Sequence, residues 1–425
     1  MSEKPKFYGW KLVAVLFTLD FINMGFPYYG GSVIGSHMQI PMSRTTYGIG
    51  FTLINLFVGL AAYVVAISIV KLGLRATFVI GSTLICLGSL VLGFYAYKPW
   101  HYLVAFGVIN GTGISFATLV PAATAVTRWF RRYRGRAMGI ALSASGFAGL
   151  GASKFLGRML DAAGGNWHVG WEIVAGAAVL SGLIAFVFVR ESPESMGQSV
   201  DGISEFEQGQ PSRTDALATK RSWTTKEAYG TSAYWLIVIA SVAAQFPFFL
   251  MIAHWPKNLS GSGVASSDVT WAMGLLTMGT LVGRWLGGLL MDVMNARYAY
   301  MIGLCFYFVA SYCALHVTPN SLWTTAYVAS ILTGAAFGWT FTCMNTCTAN
   351  YYGPAAFPKL NGMMVMLTST LASPAGTVGG KIFDRYGSYA RAFELDAALA
   401  AIGIIIMAFA TMPKPRGEAG AASAG

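Results

Sequence analysis

Runs of apolar residues, each about the length of a bilayer crossing, recur from residue 10 to residue 411, separated by short stretches where Lys, Arg, Asp, Gly and Pro collect. The runs fall at 10–36, 46–70, 76–97, 101–127, 137–160, 169–189, 231–256, 268–291, 298–317, 321–350, 361–383 and 392–411. The pattern predicts an all-α membrane protein with twelve transmembrane helices. Several runs exceed the ~20 residues that a crossing needs, which predicts tilt or bends. Pro27, Pro121, Pro247 and Pro374 lie inside runs, and with 50 glycines they predict bent, closely packed helices. One stretch breaks the rhythm. Residues 190–230 are rich in Ser, Gly, Glu, Gln, Thr and Lys and have no apolar period. They read as a solvated, cytoplasmic linker between two six-helix halves, 1–189 and 231–412, with a small, polar, disordered tail at 413–425.

Composition agrees with this class. Of 425 residues, 55% are hydrophobic and only 11% charged, against about a quarter charged in an ordinary soluble chain. The N-terminal Met1-Ser2-Glu3-Lys4-Pro5-Lys6 is followed by no small-residue cleavage site, so the first run is read as a retained helix. The net charge of +11 follows topology. With the N-terminus inside, inner segments collect most of the Lys and Arg, above all Arg128, Arg131, Arg132, Arg134 and Arg136. Outer ends hold fewer, among them Lys98, Lys154, Arg158 and Lys257. This bias predicts both termini in the cytoplasm and a multi-pass protein of the plasma (inner) membrane, with the bilayer rather than nucleic acid as its partner. The five cysteines fall within apolar runs without metal-ligand spacing, and no disulfide is expected. Clustered His, Asp or Glu with catalytic spacing are absent, as is a repeated filter sequence, which argues against an enzyme, a cofactor, a metal or a channel.

The charges inside the runs carry the candidate chemistry. Arg284 lies in Leu275–Leu290, with Asp268 the nearest charge before it and Asp292 the nearest after. A helix rises ~1.5 Å per residue, which puts Arg284 roughly 24 Å from one and roughly 12 Å from the other. A guanidinium at that depth costs several kcal/mol unless it faces a polar cavity or a partner. Few acidic residues lie deep in other runs, so Arg284 reads as an anion site; snorkelling to the nearer face or locking two helices with a carboxylate is the competing reading. Asp20 lies roughly 15 Å into the first run, with Asn23 and Pro27 on the same helix face. It could take up a proton, or it could pin helices as a neutral carboxyl. His254, near the outer end of the seventh run, could accept a proton or bond a carbonyl at the interface. Tyr28, Tyr29, Phe116, Phe337 and Phe341 could wall a cavity or pack. Asn110 and Asn345 could bond a substrate or bridge helices.

The halves echo each other weakly. Arg128-Trp129-Phe130 with Gly135-Arg136-Ala137-Met138-Gly139 has its counterpart in Asn350-Tyr351-Tyr352-Gly353 with Asn361-Gly362-Met363. Two such repeats describe a secondary transporter with its site between the halves. The spacing Gly288-xxx-Asp292-xxxx-Arg297 resembles the inner-loop motif of the major facilitator superfamily. In the copy after the second run, Lys71, Gly73 and Arg75 fit, but Val70 stands where an acid is usual. Within that superfamily, Gly9-Trp10, Arg128-Trp129-Phe130, Gly283-Arg284 and Gly387-Ser388-Tyr389 with Phe393 resemble the monocarboxylate transporters and the bacterial carriers around the oxalate/formate exchanger.

The resemblance implies two pseudo-symmetric six-helix bundles and a carboxylate bound by Arg284. Proton-coupled animal members carry an aspartate one turn before that arginine, where this chain has Thr280. They carry a lysine after Phe-Pro in the first helix, where Phe26-Pro27 is followed by Tyr28. Tyr28, Phe116 and Phe337 correspond to cavity-lining aromatics of bacterial relatives, and His254 to a histidine found there. The lysine that balances a second carboxylate in the oxalate exchanger corresponds to Thr368, and no basic residue lies between Gly362 and Lys381. A second carboxylate would stay unpaired at a cost of several kcal/mol, which favours a monoanion. The expectation is a monomeric carrier moving a small monocarboxylate such as lactate or pyruvate with a proton, by alternating access, with Asp20 or His254 coupling the proton. Anion exchange of the oxalate/formate type is the alternative, and a sensor that does not transport the weaker one.

Overall fold

The computed structural model describes residues 7–35, 37–42, 44–202, 218–219 and 221–413. The middle of the expected linker (203–217 and 220) and the tail from 414 onward lie outside them. Among the described residues every regular element is helical. A helix bonds all its own backbone groups, as a chain in hydrocarbon must.

The helices, in order, are α1 (Gly9–Met24), extended by a π-helical turn (Gly25–Gly30) and α2 (Gly31–Gly35); α3 (Arg44–Tyr95); α4 (Pro99–Tyr102), joined by a second π-helical turn (Leu103–Asn110) to α5 (Gly111–Ala117) and α6 (Leu119–Trp129); α7 (Arg134–Leu142); α8 (Ala144–Ala162); and α9 (Trp167–Phe188). After the linker come α10 (Thr225–Tyr229), α11 (Ser232–Gly261), α12 (Ser266–Met291), α13 (Ala296–Leu315), α14 (Ala326–Ala372), α15 (Ala375–Tyr386) and α16 (Ala390–Phe409). Among the described residues nine stretches are long and apolar enough to cross a bilayer. Two of them, of 50 and 61 residues, are more than one crossing long. Each reverses at a glycine with positive φ, Gly73 (φ 89°) and Gly353 (φ 74°), a conformation that a side chain would strain.

Three of the four prolines inside runs mark irregular backbone. Pro27 falls in the first π-helical turn, Pro121 follows the break at Thr118, and Pro374 separates α14 from α15. α11 runs through Pro247 without a break. The run at 137–160 forms α7 and α8, which meet at Ser143 and are not among the nine apolar stretches. α7 is short, and α8 carries Lys154, Arg158 and Asp161, while the small residues Gly139, Ser143, Ser145 and Gly146 face α12.

Three apolar clusters fill the interior. The largest draws on both halves, from Leu12 through Trp129 and Met138 to Trp339, Tyr352 and Ala410. A second lies wholly in the first half, around Ile34, Phe106 and Trp171. A third lies wholly in the second half, around Met251, Trp255 and Phe393. The halves therefore share one core near the face carrying Arg128–Arg136 and Asp292, called here the basic face, and own separate cores toward the opposite face.

Candidate functional site between the halves

The seam is built on small residues. Gly135 and Gly139 of α7 lie against Gly288 and the Arg284 carbonyl of α12, and Gly362 of α14 lies against Ala62 and Ala66 of α3. Further along the same helix faces, Gly48 and Gly274 have empty space around them. The close backbone contacts between the halves thus gather toward the basic face.

Polar contacts close the basic face. The Asp292 carboxylate accepts from the backbone N–H of Gly135 (2.8 Å) and Arg136 (3.2 Å) and pairs with the Arg136 guanidinium (3.1 Å). Arg134 donates to Asn350 Oδ1 at 2.7 Å. The third residue of the inner-loop spacing does different work: Arg297 donates to the Ala408 carbonyl at the end of α16, where the helix dipole favours a cation. The start of the linker docks on the first half. Glu191 accepts from the backbone of Leu74 and Arg75 and pairs with Arg128. Asp201 accepts from the backbone of Arg131, Arg132 and Tyr133 just before α7.

Burial pushes the Asp292 carboxyl up to about 6, against its amide donors and Arg136. A raised carboxyl means that the unfolded chain ionises first as pH rises. Asp292 therefore favours folding most below the ordinary carboxylate value, and that contribution is lost as pH climbs to about 6. The loss amounts to about 3 kcal/mol. The thermal midpoint of the wild type should fall between pH 4 and pH 6 relative to Asp292→Asn, and a constant difference would contradict this.

Arg284 lies at this seam, with its carbonyl against Gly139, and is 5% exposed. Its Nη1 donates to Ser145 Oγ of α8 at 2.6 Å, and its guanidinium carbon stands 5.6 Å from the Phe341 ring. Its Nε is buried without a hydrogen-bond partner. Beside it, Trp285 Nε1 donates to Ser143 Oγ at 2.9 Å, a second bond across the seam. Asp20 of α1 and Tyr29 of the π-helical turn bring their polar groups within electrostatic reach of Arg284. Asp20 is 1% exposed, and neither carboxylate oxygen has a hydrogen-bond partner. The scarcity of deep acids in other runs predicted that Arg284 lacks an acidic partner; the structure corrects this, since Asp20, 264 positions away in sequence, lies within electrostatic reach across the seam.

The remaining candidates scatter. Thr280 lies one turn before Arg284, its hydroxyl donating to the Leu276 carbonyl, and Gly338 packs on its backbone. Tyr28 exchanges a hydrogen bond with Asn55 at 3.2 Å. Phe337 stacks face to face on Phe248 at 3.7 Å, and Phe116 is buried at the edge of the shared core. Thr368 is buried with its hydroxyl on the Val365 carbonyl. Asn110 is fully buried against Gly88 of α3, inside the first half, with its amide atoms unpartnered. Asn345 donates to the Phe341 carbonyl one turn back. His254 bonds Tyr389 and the Gly376 carbonyl through its two ring nitrogens, within the second half. Two groups escaped the sequence reading. Ser145 is the direct partner of Arg284, and its signal is the Ser143-Ala144-Ser145-Gly146 run of small residues opposite Gly283-Arg284. Asp396 of α16 is a second fully buried acid, near the Tyr307 hydroxyl, and a charged residue inside an apolar run is its signal.

The Major Facilitator Superfamily family matches residues 7–357 and 258–424 of this chain. Monocarboxylate transporter 12 of Rattus norvegicus is 23% identical over 81% of this chain and 73% of its own length. Monocarboxylate transporter 2 of Meriones unguiculatus is 22% identical over 77% and 68%. Two solved structures share the fold. FucP in the outward conformation has a TM-score of 0.72 at 14% identity, covering 96% of this chain and 100% of that one. The proton:xylose symporter XylE has a TM-score of 0.73 at 12% identity, covering 95% and 96%.

Proposed function

The chain belongs to the major facilitator superfamily, and we propose that it carries a small monocarboxylate such as lactate or pyruvate across the membrane together with a proton. The observation that carries this reading is Arg284: a guanidinium buried at the seam, with a neutral serine as its one hydrogen-bonding side chain among the described residues and a buried Nε left open. A fixed cation in a low-dielectric site is a receptor for an anion. The named monocarboxylate transporters among its relatives supply the class of anion. One such cation balances one carboxylate. Thr368, where a second cation would stand, offers only a hydroxyl already bonded to its own helix.

In this reading the substrate carboxylate takes the free edge of Arg284, with Tyr29 and Phe341 nearest and Tyr28, Phe116 and Phe337 shaping the apolar side. Thr280 contributes shape rather than charge, and Asn110, packed against Gly88 inside the first half, takes no part. The form with the basic face joined is the loading state. Rocking the halves opens that face, where Asp292, Gly288 and the Arg136 pair form the gate. The basic face is taken as cytoplasmic, in a monomer of the inner membrane with both termini inside.

The test is uptake of labelled lactate into vesicles holding the purified protein, with and without an inward proton gradient. Stimulation by the gradient supports the reading. Uptake that needs a preloaded internal anion would mean exchange, and no uptake under either condition would sink the substrate class.

A further inference from the structure

Asp20 and Arg284 face each other from opposite halves, and each is incomplete. Both Asp20 oxygens lack a hydrogen-bond partner, as does Arg284 Nε. They do not form a direct ion pair; the Arg284 charge reaches Asp20 without salt-bridge contact. The helices packed on α1 are α7, α8, α9, α5 and α6. From α8 the Ser145 backbone amide points toward the carboxylate, and Tyr29, on the same rod as Asp20, is the nearby titratable group. Asn23, one turn along from Asp20, is taken up by Ser181 Oγ and the Ala117 carbonyl, so it offers the carboxylate no amide hydrogen. Among the described residues Arg284 is the one charged group whose field reaches Asp20.

We propose that Asp20 is the resident counter-ion of Arg284, and that a substrate carboxylate replaces it only when Asp20 takes up a proton. This rests on the reading of Arg284 as the carboxylate site and deepens it. The argument is charge balance in a buried place. With the site empty, ionised Asp20 and Arg284 sum to zero. With a carboxylate bound and Asp20 protonated, the three groups again sum to zero. A carboxylate bound beside ionised Asp20 leaves one negative charge, and protonated Asp20 without substrate leaves one positive charge. Moving a site of net charge through the closed state costs more than moving a neutral one. The two neutral states are therefore the ones that rock between faces, and each carboxylate travels with one proton. The partner that selects the proton belongs to the opposite half, so separation of the halves alters the pairing directly. His254 has no such position: both its ring nitrogens are engaged inside one half.

Two measurements test this with the full-length protein. In vesicles with a proton gradient, Asp20→Asn should lose accumulation of labelled lactate, while its remaining lactate-for-lactate exchange no longer varies between pH 5.5 and pH 8 (roughly the range over which a buried carboxyl titrates). The loaded variant is neutral and still rocks; the empty variant carries an uncompensated cation and does not return. Gradient-driven accumulation by Asp20→Asn would overturn the proposal. The second measurement needs no substrate. The carboxyl stretch assigned to Asp20 by its absence in Asp20→Asn is titrated by infrared difference spectroscopy in wild type and in Arg284→Gln. Removing the guanidinium should raise the midpoint by one pH unit or more, and an unmoved midpoint would overturn the counter-ion role. Should the wild type fail to move lactate while the midpoint shifts, the substrate reading fails and the counter-ion stands.

Discussion

Arg284→Gln is expected to reduce counterflow of labelled lactate by two to three orders of magnitude while leaving a folded protein. Truncating one partner of a buried charge pair costs 2–5 kcal/mol, and each 1.4 kcal/mol is about tenfold in affinity. Glutamine can still reach Ser145 but supplies no charge for the carboxylate. Arg284→Lys keeps the charge and loses the planar fork, which here gives one edge to Ser145 and lies near Phe341. It should fall between the two, on the order of tenfold below wild type. Arg284→Gln also strands Asp20 as a buried acid without its cation, which lowers the thermal midpoint. Adding Asp20→Asn should recover that midpoint and leave lactate counterflow lost. Unimpaired counterflow in Arg284→Gln would remove the basis of the functional reading.

The fold class could be read from the sequence because lipid imposes a simple grammar: apolar runs of crossing length, broken by charges and glycines. Within a run, Arg284 is conspicuous because a charge there is expensive. What surrounds it is another matter. Asp20 precedes it by 264 positions and Ser145 by 139, and no periodicity along either helix says that their faces meet. That meeting is a property of how the halves dock, and it depends on glycines whose role appears only when helices touch. Asn110 illustrates the limit from the other side. Depth and polarity make it a candidate for ligand binding, yet its neighbour is Gly88, and the missing Cβ of that glycine makes its space. Asp396 carries the same sequence signal as Asp20, but its place beside Tyr307 within one half sets it apart from the seam. A buried charge in a run is thus a pointer, and the side of the helix it occupies decides what it points to.

The second large effect is expected at the gate. A Cβ on Gly139 would stand 2.5 Å from the Arg284 carbonyl oxygen, closer than real side chains approach, and Gly135 and Gly288 oppose each other backbone to backbone. These contacts exist only while the basic face is closed. Gly288→Leu therefore penalises the closed form and leaves the open form nearly untouched. Overpacking costs 1–3 kcal/mol, which shifts the balance between the two forms about 5- to 150-fold. Gradient-driven lactate uptake should drop at least about tenfold, because a carrier that cannot close on one face cannot complete its cycle. Spin labels at Arg132→Cys and Val293→Cys, placed in a background without the five native cysteines, should report a longer distance in the Gly288→Leu protein. Asp292→Asn should move the same distance less, because it loses the Arg136 ion pair but keeps an amide oxygen able to accept from Gly135. An unchanged distance with normal uptake would mean that the glycine contact does not hold the gate. A changed distance with normal uptake would mean that closing this face does not limit the cycle.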